Sequence, residues 1–127
     1  MKKRIHVPHR VAIGNYSHAV QAGPFLYVSG QIALDDNTGT LVNHDIEAEA
    51  TQVMKNIEEI LHAAGYQFSD VVKATIFLKE MDYYGKVNKV YGHYFHEDYY
   101  PAREAVVVKM LPKDANVEIS VIAYKDH

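Results

Sequence analysis

Two short β-branched runs near the C-terminus constrain the fold of this chain most strongly. They are residues 105–108 (AVVV) and 117–122 (VEISVI), and the turn-forming residues 111–116 (LPKDAN) lie between them. Apolar runs of this length, bounded by proline, aspartate and asparagine, are typical of buried strands. Each run nevertheless has a charge near its start, Arg103 before the first and Glu118 inside the second. The sequence therefore predicts two buried strands that carry charged side chains.

The charges of Arg103 and Glu118 need an explanation, because burying a guanidinium or a carboxylate is costly unless it is paired or binds a charged ligand. A ligand site is one interpretation. An ordinary buried ion pair between the two residues is another, and exposed strand ends are a third. The residues alone leave all three open.

Composition is that of an ordinary globular protein, and its 127 residues predict a single domain spanning residues 1–127. A formal charge of −3 gives no electrostatic reason to expect nucleic acid or an anionic membrane as a partner. The absence of cysteine excludes disulfides, a thiol nucleophile and thiolate metal sites. No run approaches the roughly 18 apolar residues of a membrane helix. Since no apolar run follows the basic start either, we expect no secretory signal and a cytoplasmic location.

The remaining pattern predicts an α+β domain, from alternating or continuous apolar residues in strands and a three- and four-residue apolar spacing in helices. The predicted strands cover residues 5–7, 25–33 and 71–78 besides the two C-terminal runs, and the predicted helices cover residues 45–64 and 82–96. Asp45 and Asp82 are the expected N-caps. Two helices on one face of a sheet leave the other face apolar, and a second copy of the chain is the simplest cover for it.

Three further features have competing interpretations. Gly30 interrupts a predicted strand, which marks either a bulge or close approach of another group, or an irregularity with no ligand. His93 and His96 could share a helix face, but the sequence specifies no third ligand, so we expect no metal. Ten tyrosines without a basic groove favour packing at an interface over base stacking.

Several short segments occur in a defined order along the chain. They are residues 12–17 (AIGNYS), 28–32 (VSGQI), 87–91 (VNKVY), 101–103 (PAR), 111–113 (LPK) and 117–119 (VEI). This set resembles the Rid (YjgF-like) family of enamine/imine deaminases over almost the whole chain. The segment from the arginine to the glutamate is the specific signature of that family.

The resemblance implies a chorismate-mutase-like (YjgF-like) α+β fold, a mixed sheet with two helices on one face, assembled as a trimer with clefts between subunits. It also implies a hydrolase similar to 2-iminobutanoate/2-iminopropanoate deaminase. Such an enzyme converts 2-imino acids, which arise from enamines released by pyridoxal-phosphate enzymes, to 2-keto acids and ammonia without a cofactor. The alternative is a non-catalytic, small-carboxylate-binding or regulatory trimer. Ribonuclease activity, also reported for the family, is disfavoured by the acidic balance.

Three residues carry the chemistry that the resemblance implies. Arg103 would grip the substrate carboxylate, helped by the backbone N–H of Ala105, and Glu118 would orient or activate the attacking water. A bidentate guanidinium holds a planar carboxylate in a way that lysine cannot imitate. Because an imine carbon is already electrophilic, the reaction needs orientation, a placed water and a proton acceptor more than a nucleophile.

Four more residues complete the implied pocket: Tyr16, counted with the catalytic group, and Ser29, Gly30 and Asn88, which shape the site. To act on one substrate, the side chains of Arg103 and Glu118 must reach the same pocket. We therefore hypothesise that Arg103 and Ala105 come from one subunit, and that Tyr16, Gly30 and Glu118 come from its neighbour.

Three positions depart from the family pattern. Glu104 replaces the small residue usual after the arginine, and alternation along a strand should point it away from the face of Arg103. Asn15 stands where proline is usual, which would loosen the loop of Tyr16. Ala105 replaces a common cysteine, with little expected effect because the implied contact there is made by the backbone.

Overall fold

A computed structural model describes residues 1–8, 10, 12 and 14–126 of the chain. Ile13 of the first family segment lies outside the described residues. The elements in chain order are β1 (Lys2–Arg4), β2 (Ala19–Ala22), β3 (Phe25–Gln31), β4 (Leu34–Asp35), β5 (Thr40–Leu41), α1 (Ile46–Ala63), β6 (Val71–Leu78), α2 (Tyr84–Gly92), β7 (Ala102–Val107) and β8 (Val117–Tyr124).

Six strands form one mixed sheet in the order β1-β2-β3-β8-β6-β7, and β4 and β5 form a small separate hairpin. All neighbours in the large sheet are antiparallel except β6 and β7, which are parallel. Strands β7 and β8 are consecutive in sequence but do not pair, because β6 lies between them. This arrangement confirms the predicted α+β class with a mixed sheet and two helices.

Helix α1 forms as its sequence pattern predicts and begins and ends within one residue of the expected positions. Asp45 is the N-cap, and its side chain accepts a hydrogen bond from the backbone N–H of Ala48 at 2.7 Å. Gly65 follows the helix with φ of 81°, a conformation that glycine adopts at little cost. The apolar stripe, which includes Val53 and Ile57, is fully buried against the sheet. No helix among the described residues is long and apolar enough to cross a membrane.

Helix α2 is shorter than predicted. The expectation of a helix over residues 82–96 with Asp82 as N-cap is wrong, because a 3-10 turn at Met81–Tyr83 precedes the helix and Tyr83 occupies the cap position. Gly92 ends it. Two glycines in nine residues, each about 1 kcal/mol less favourable than alanine, leave little intrinsic helix stability, so packing decides where the helix stops.

The N-terminal segment also differs from expectation. The predicted strand at residues 5–7 is wrong: the first strand is Lys2–Arg4, and Ile5 and Val7 are buried in the core outside any strand. Burial of apolar side chains produced the strand-like pattern there. Strand β2, only four residues long, was not predicted.

The sheet face opposite the helices carries exposed apolar side chains, as predicted, but it is not apolar throughout, because Lys73, Glu104 and Glu118 lie on it as well. Its exposed side chains include Phe25 and Tyr27 on β3, Val106 on β7 and Tyr124 on β8, each between 37% and 47% exposed. On β8, buried residues alternate with partly exposed ones, so one face packs on the helices and the other looks outward.

Candidate functional site

Arg103 lies on β7, the outermost strand of the sheet, and is held by α2. It pairs with Ala74 of β6, which is fully buried, so both residues lie on the helix-covered side. Its Nη1 donates to Asn88 Oδ1 and its Nη2 donates to Tyr84 Oη, each at 2.6 Å. The guanidinium carbon is 5.0 Å from the centre of the Tyr91 ring, within the range of a cation–π contact.

The helical repeat explains why these three side chains meet Arg103. Tyr84, Asn88 and Tyr91 are separated by four and three residues, so they lie on one face of α2. That face is turned toward β7. Sequence reasoning found Asn88 but missed Tyr84, and it included Tyr91 only as the last residue of the family segment 87–91. The four-and-three spacing around Asn88 was the available signal.

A cavity of about 480 Å³ opens beside the guanidinium. Its lining residues are Asn88, Tyr91, Gly92, Tyr100, Pro101 and Arg103. Tyr91 is 3% exposed, and its hydroxyl has no hydrogen-bond partner among the described residues. Burial raises the pKa of Tyr91 to about 12, so its hydroxyl remains protonated.

The backbone N–H of Ala105 points to the free edge of the sheet. The N–H of Val108 donates to Leu78 O of β6 at 2.9 Å. Because N–H direction alternates along an extended strand, the N–H groups of Ala105 and Arg103 point the other way, away from β6. In the described part of the chain no strand pairs with that edge. The Ala105 N–H is therefore not used by the sheet and can donate to an acceptor that approaches this edge from outside.

Glu118 lies on the other face of the sheet. It pairs with Phe77 of β6, whereas the next residue, Ile119, pairs with the buried Ile76. Burial raises the pKa of Glu118 above its usual 4.5. No cation contributes to that shift, so desolvation determines its direction.

Gly30 is required by the position of Glu118. A Cβ atom on Gly30 would lie 2.5 Å from Glu118 Oε2 and 2.8 Å from its Cδ, closer than any side chain tolerates. The register of β3 against β8 shifts between Val28 and Gln31, as at a β-bulge or another irregularity, and Gly30 lies in this stretch. The close approach of another group to Gly30 is observed, with Glu118 as that group, while a role of Gly30 toward a ligand stays a prediction.

Ser29 ties the loop of Tyr16 to this stretch of β3. Its hydroxyl donates to Ser17 O at 2.6 Å, and its backbone N–H donates to His18 O at 2.9 Å. The Tyr16 ring packs edge-on against His18 with centroids 6.0 Å apart, and 47% of the Tyr16 residue is exposed. The loop therefore presents an accessible phenol beside Glu118.

A second cavity, of about 460 Å³, is formed around these residues. It is lined by the predicted Tyr16, Ser29, Gly30 and Glu118, together with Arg10, His18, Gln31, Ile32, Leu34, Asp36, Pro112 and Lys113. Arg10 and Asp36 form an ion pair at 3.1 Å, and Arg10 also donates to Asn56 Oδ1 at 2.7 Å. Sequence reasoning missed this network because its partners are far apart in the chain, and no local pattern connects them.

The turn that leads into β8 is anchored from the core. Glu49 of α1 is fully buried, and its two carboxylate oxygens accept hydrogen bonds from the backbone N–H and the side-chain amide of Asn116, both at 2.8 Å. Glu118 follows two residues later, so α1 fixes the point from which the β8 carboxylate extends.

The predicted site residues thus fall into two groups. Arg103, Asn88 and Ala105 lie at the β7 edge, on the helix-covered side. Tyr16, Ser29, Gly30 and Glu118 line the other cavity. Arg103 and Glu118 do not converge within the chain, so the interpretation of an ion pair between them is wrong.

Glu104 does not neutralise Arg103. Glu104 lies opposite Thr75 of β6 in the sheet, and its carboxylate forms an ion pair with Lys73 Nζ at 3.2 Å. Its side chain therefore points to the open face, as strand alternation predicts. Among the described residues no group of three or more histidine, aspartate or glutamate side chains could hold a metal ion.

Known proteins share this architecture. A family model described as Endoribonuclease L-PSP matches residues 7–125. A RutC family protein from Pyrococcus horikoshii is 51% identical over 90% of this chain and 90% of that protein. A 2-iminobutanoate/2-iminopropanoate deaminase from Mus musculus is 47% identical over 88% of this chain and 82% of that protein. A solved Rid family protein from Yersinia pestis has a TM-score of 0.94 and 43% identity, covering 98% of this chain and 100% of that one.

Proposed function

Because the chain belongs to the Rid (YjgF-like) family, we propose that it hydrolyses reactive 2-imino and 2-enamino acids to 2-keto acids and ammonia. The mouse deaminase, 47% identical to this chain, supports this reaction. The substrates would be small products of pyridoxal-phosphate enzymes, and the reaction would need no cofactor. The observation that carries the proposal is the fixed guanidinium of Arg103, open to a cavity on one side.

The active form in this proposal is a homotrimer with sites between subunits. Two features support it. The open sheet face carries exposed aromatic and β-branched side chains that a second copy would bury. The two groups of site residues lie on different faces of one sheet, so a complete site needs the β7 edge of one subunit and the Glu118 cavity of the next.

The substrate carboxylate would bind at the β7 edge. Arg103 supplies charge and parallel N–H donors, which match a planar carboxylate. The N–H of Ala105 adds a neutral donor at the same edge. Asn88 accepts one Arg103 hydrogen and so holds the guanidinium in place.

Glu118 would act on water. As a carboxylate it takes one proton from a water molecule while the water oxygen forms a bond to the imine carbon. It then returns that proton to the nitrogen, which gives a carbinolamine. Glu118 next takes the proton of the carbinolamine hydroxyl and passes it to the same nitrogen, the carbon–oxygen double bond forms as the carbon–nitrogen bond breaks, and ammonia leaves with both protons of the water. A carboxylate whose pKa is raised by burial is a stronger base than an exposed one and suits this role.

The other residues of the Glu118 cavity would shape the reaction space. Gly30 gives the carboxylate room, and its own exposed backbone can approach the substrate closely. Ser29 holds the Tyr16 loop, and the Tyr16 phenol would donate to the water or to the leaving nitrogen.

The test is to add the purified protein to a pyridoxal-phosphate dehydratase reaction and to time keto-acid release. We expect acceleration by the wild-type protein and by Arg4→Ala, which removes an exposed arginine on β1. Arg103→Ala should abolish acceleration, and Arg103→Lys should leave little of it, because a point charge cannot replace the bidentate fork.

Two other outcomes would overturn the proposal. Tight binding of a 2-keto acid without acceleration would show a non-catalytic carboxylate-binding protein. RNA cleavage that survives Arg103→Ala, again without acceleration, would show an activity unrelated to this site.

A further inference from the structure

We propose that Tyr84 is a positioning residue that fixes the Arg103 guanidinium, so that the remaining guanidinium hydrogens face the bound carboxylate. The proposal rests on the proposed function for its substrate, a small 2-imino or 2-keto acid. Tyr84 belongs to none of the family segments in the sequence, and the resemblance to the family implies no role for it.

The contact itself is close and directional. Arg103 Nη2 donates to Tyr84 Oη at 2.6 Å, while Nη1 donates to Asn88 Oδ1 at the same distance. Nη1 and Nη2, the two terminal nitrogens of the forked Arg103 guanidinium, are thus held by two different acceptors. Either acceptor alone would leave the guanidinium free to turn about the remaining contact. Together they define its plane.

Tyr84 is not among the residues that line the ligand cavity, whereas Arg103 and Asn88 are, so its contact with the Arg103 guanidinium leaves the cavity lining unchanged. A guanidinium has five N–H hydrogens. Two are used by Asn88 and Tyr84, so three remain for a ligand, and the hydrogen bond to Tyr84 determines where they point.

The Tyr84 ring adds a second contact. Its centre is 5.6 Å from the guanidinium carbon, and the Tyr91 ring is 5.0 Å away. The hydroxyl hydrogen bond and the ring contact can be separated experimentally, because phenylalanine keeps the ring and loses only the hydroxyl.

The physical effect is preorganisation. An arginine side chain loses rotamer freedom when it binds a ligand, and this lowers affinity unless the free protein has already ordered it. Because the carboxylate is present in the substrate and in the transition state alike, such ordering strengthens both equally. The signature of its loss is therefore a raised KM with kcat nearly unchanged.

The chain provides a matched control beside Tyr84. Like Tyr84, Tyr83 is a partly buried tyrosine that packs against the core and lines neither cavity, but the Arg103 guanidinium donates to the hydroxyl of Tyr84 and not to that of Tyr83. Tyr83→Phe removes the same hydroxyl one residue away. Thermal unfolding of both variants would show that each retains the fold.

The experiment measures imine hydrolysis and pyruvate affinity for wild type, Tyr84→Phe and Tyr83→Phe. Loss of one hydrogen bond to a charged group predicts a rise of about five- to ten-fold in KM and in the pyruvate dissociation constant for Tyr84→Phe, with kcat within about two-fold. Tyr83→Phe should match wild type. In an Arg103→Lys background Tyr84→Phe should have no further effect on pyruvate binding, because Tyr84 acts through the fork.

A ligand-free measurement makes the test independent of the proposed reaction. NMR of the Arg103 side chain should show slow rotation of both terminal NH2 groups in wild type, and faster rotation of one in Tyr84→Phe. Unchanged rotation in that variant would overturn the proposal, as would an equal loss of pyruvate affinity in the Arg103→Lys background. If wild type fails to accelerate imine hydrolysis, the proposed function falls, while the rotation measurement still decides the role of Tyr84.

Discussion

Arg103 and Glu118 project from opposite faces of one sheet, with strand β6 between the strands that carry them. Two strand spacings separate their strands by about 10 Å, their partners Ala74 and Phe77 are three residues or about 10 Å apart along β6, and the sheet itself lies between the side chains. A single subunit therefore cannot bring both groups to one substrate without breaking the sheet. Two subunits can.

Mixing inactive variants should consequently restore activity. If each site takes Arg103 from one subunit and Glu118 from the next, co-refolding Arg103→Ala with Glu118→Ala in equal amounts should place intact pairs at about a quarter of the interfaces. We expect about a quarter of the wild-type rate from the mixture and none from either variant alone. A mixture that stays inactive, although sedimentation shows mixed trimers, would place both residues in one subunit's site.

Substitution of Gly30 should disable Glu118 without unfolding the protein. In Gly30→Ala the new methyl would overlap Glu118 Oε2, so the carboxylate must move and kcat should fall by at least ten-fold. Gly85→Ala is the control, since nothing lies within 4 Å of its added Cβ and alanine favours the helix by about 1 kcal/mol. Rates and thermal unfolding of both variants check this. Equal activity of the two variants would mean that the close approach has no catalytic role.

The pH dependence of activity should report Glu118. Burial raises the pKa of Glu118 above 4.5, so the carboxylate form needed to take a proton is lost at a higher pH than for an exposed glutamate. We expect kcat/KM to fall as pH drops through that raised pKa. Glu118→Gln should be slow, and its kcat/KM should not show this decrease at acidic pH. If kcat/KM of Glu118→Gln still falls at the same acidic pH, the decrease comes from another group.

The raised pKa of Glu118 also makes the stability of the folded protein depend on pH. Because the folded protein binds the Glu118 proton more tightly than the unfolded chain does, the unfolding free energy from this group declines as pH rises from 4.5 through the raised pKa. Glu118→Gln should therefore be more stable than wild type at neutral pH, and the difference should vanish below pH 4.5. Urea unfolding at several pH values measures it, and a difference independent of pH would refute it.

Removal of the Tyr91 hydroxyl should stabilise the protein. The hydroxyl is buried and has no partner in the described structure, so it loses its hydrogen bonds to water on folding and gains none. Tyr91→Phe should raise the unfolding free energy by about 1 kcal/mol, while Tyr99→Phe, at a position 76% exposed, should change it by less than about 0.5 kcal/mol. A less stable Tyr91→Phe would mean that the assembled protein supplies a partner.

A charge on the open sheet face should prevent assembly. Ile122 pairs with Tyr27 and Lys73 in the middle of that face. Burying a further carboxylate there would be costly, because the adjacent Lys73 is already paired with Glu104, so Ile122→Asp should sediment as a monomer and lose activity. Asn37→Asp adds the same charge in an exposed turn and should leave assembly unchanged. A trimeric, active Ile122→Asp would show that another surface joins the subunits.

Local rules predicted the parts of the fold whose stability is local. Helix α1 has a periodic stripe, an aspartate cap and a terminal glycine, and in β6 apolar residues alternate with mixed ones, so both were found almost residue for residue. Helix α2 was overextended because its end depends on packing rather than propensity. Strand β2 was missed because four residues carry too little pattern.

The residues of the candidate site likewise divide into those that a local sequence pattern revealed and those that it did not. Arg103 and Glu118 are charges in apolar strands, and Gly30 is a glycine inside a strand, so each contradicts its local pattern and could be found from sequence. Tyr84 contradicts nothing locally. Its importance comes from a partner 19 residues away on another element, and only the folded arrangement of α2 against β7 reveals it.

The hydrogen bonds from Asn116 to the buried Glu49 link the interior to the chemistry. A side chain inside α1 sets the starting point of the strand that carries Glu118, the proposed proton acceptor, although it lies outside both cavities. Changes to the hydrophobic interior near Glu49 would then alter turnover before they cause unfolding. We therefore expect some substitutions in α1 to be harmful because they slow the reaction, even when the protein still folds.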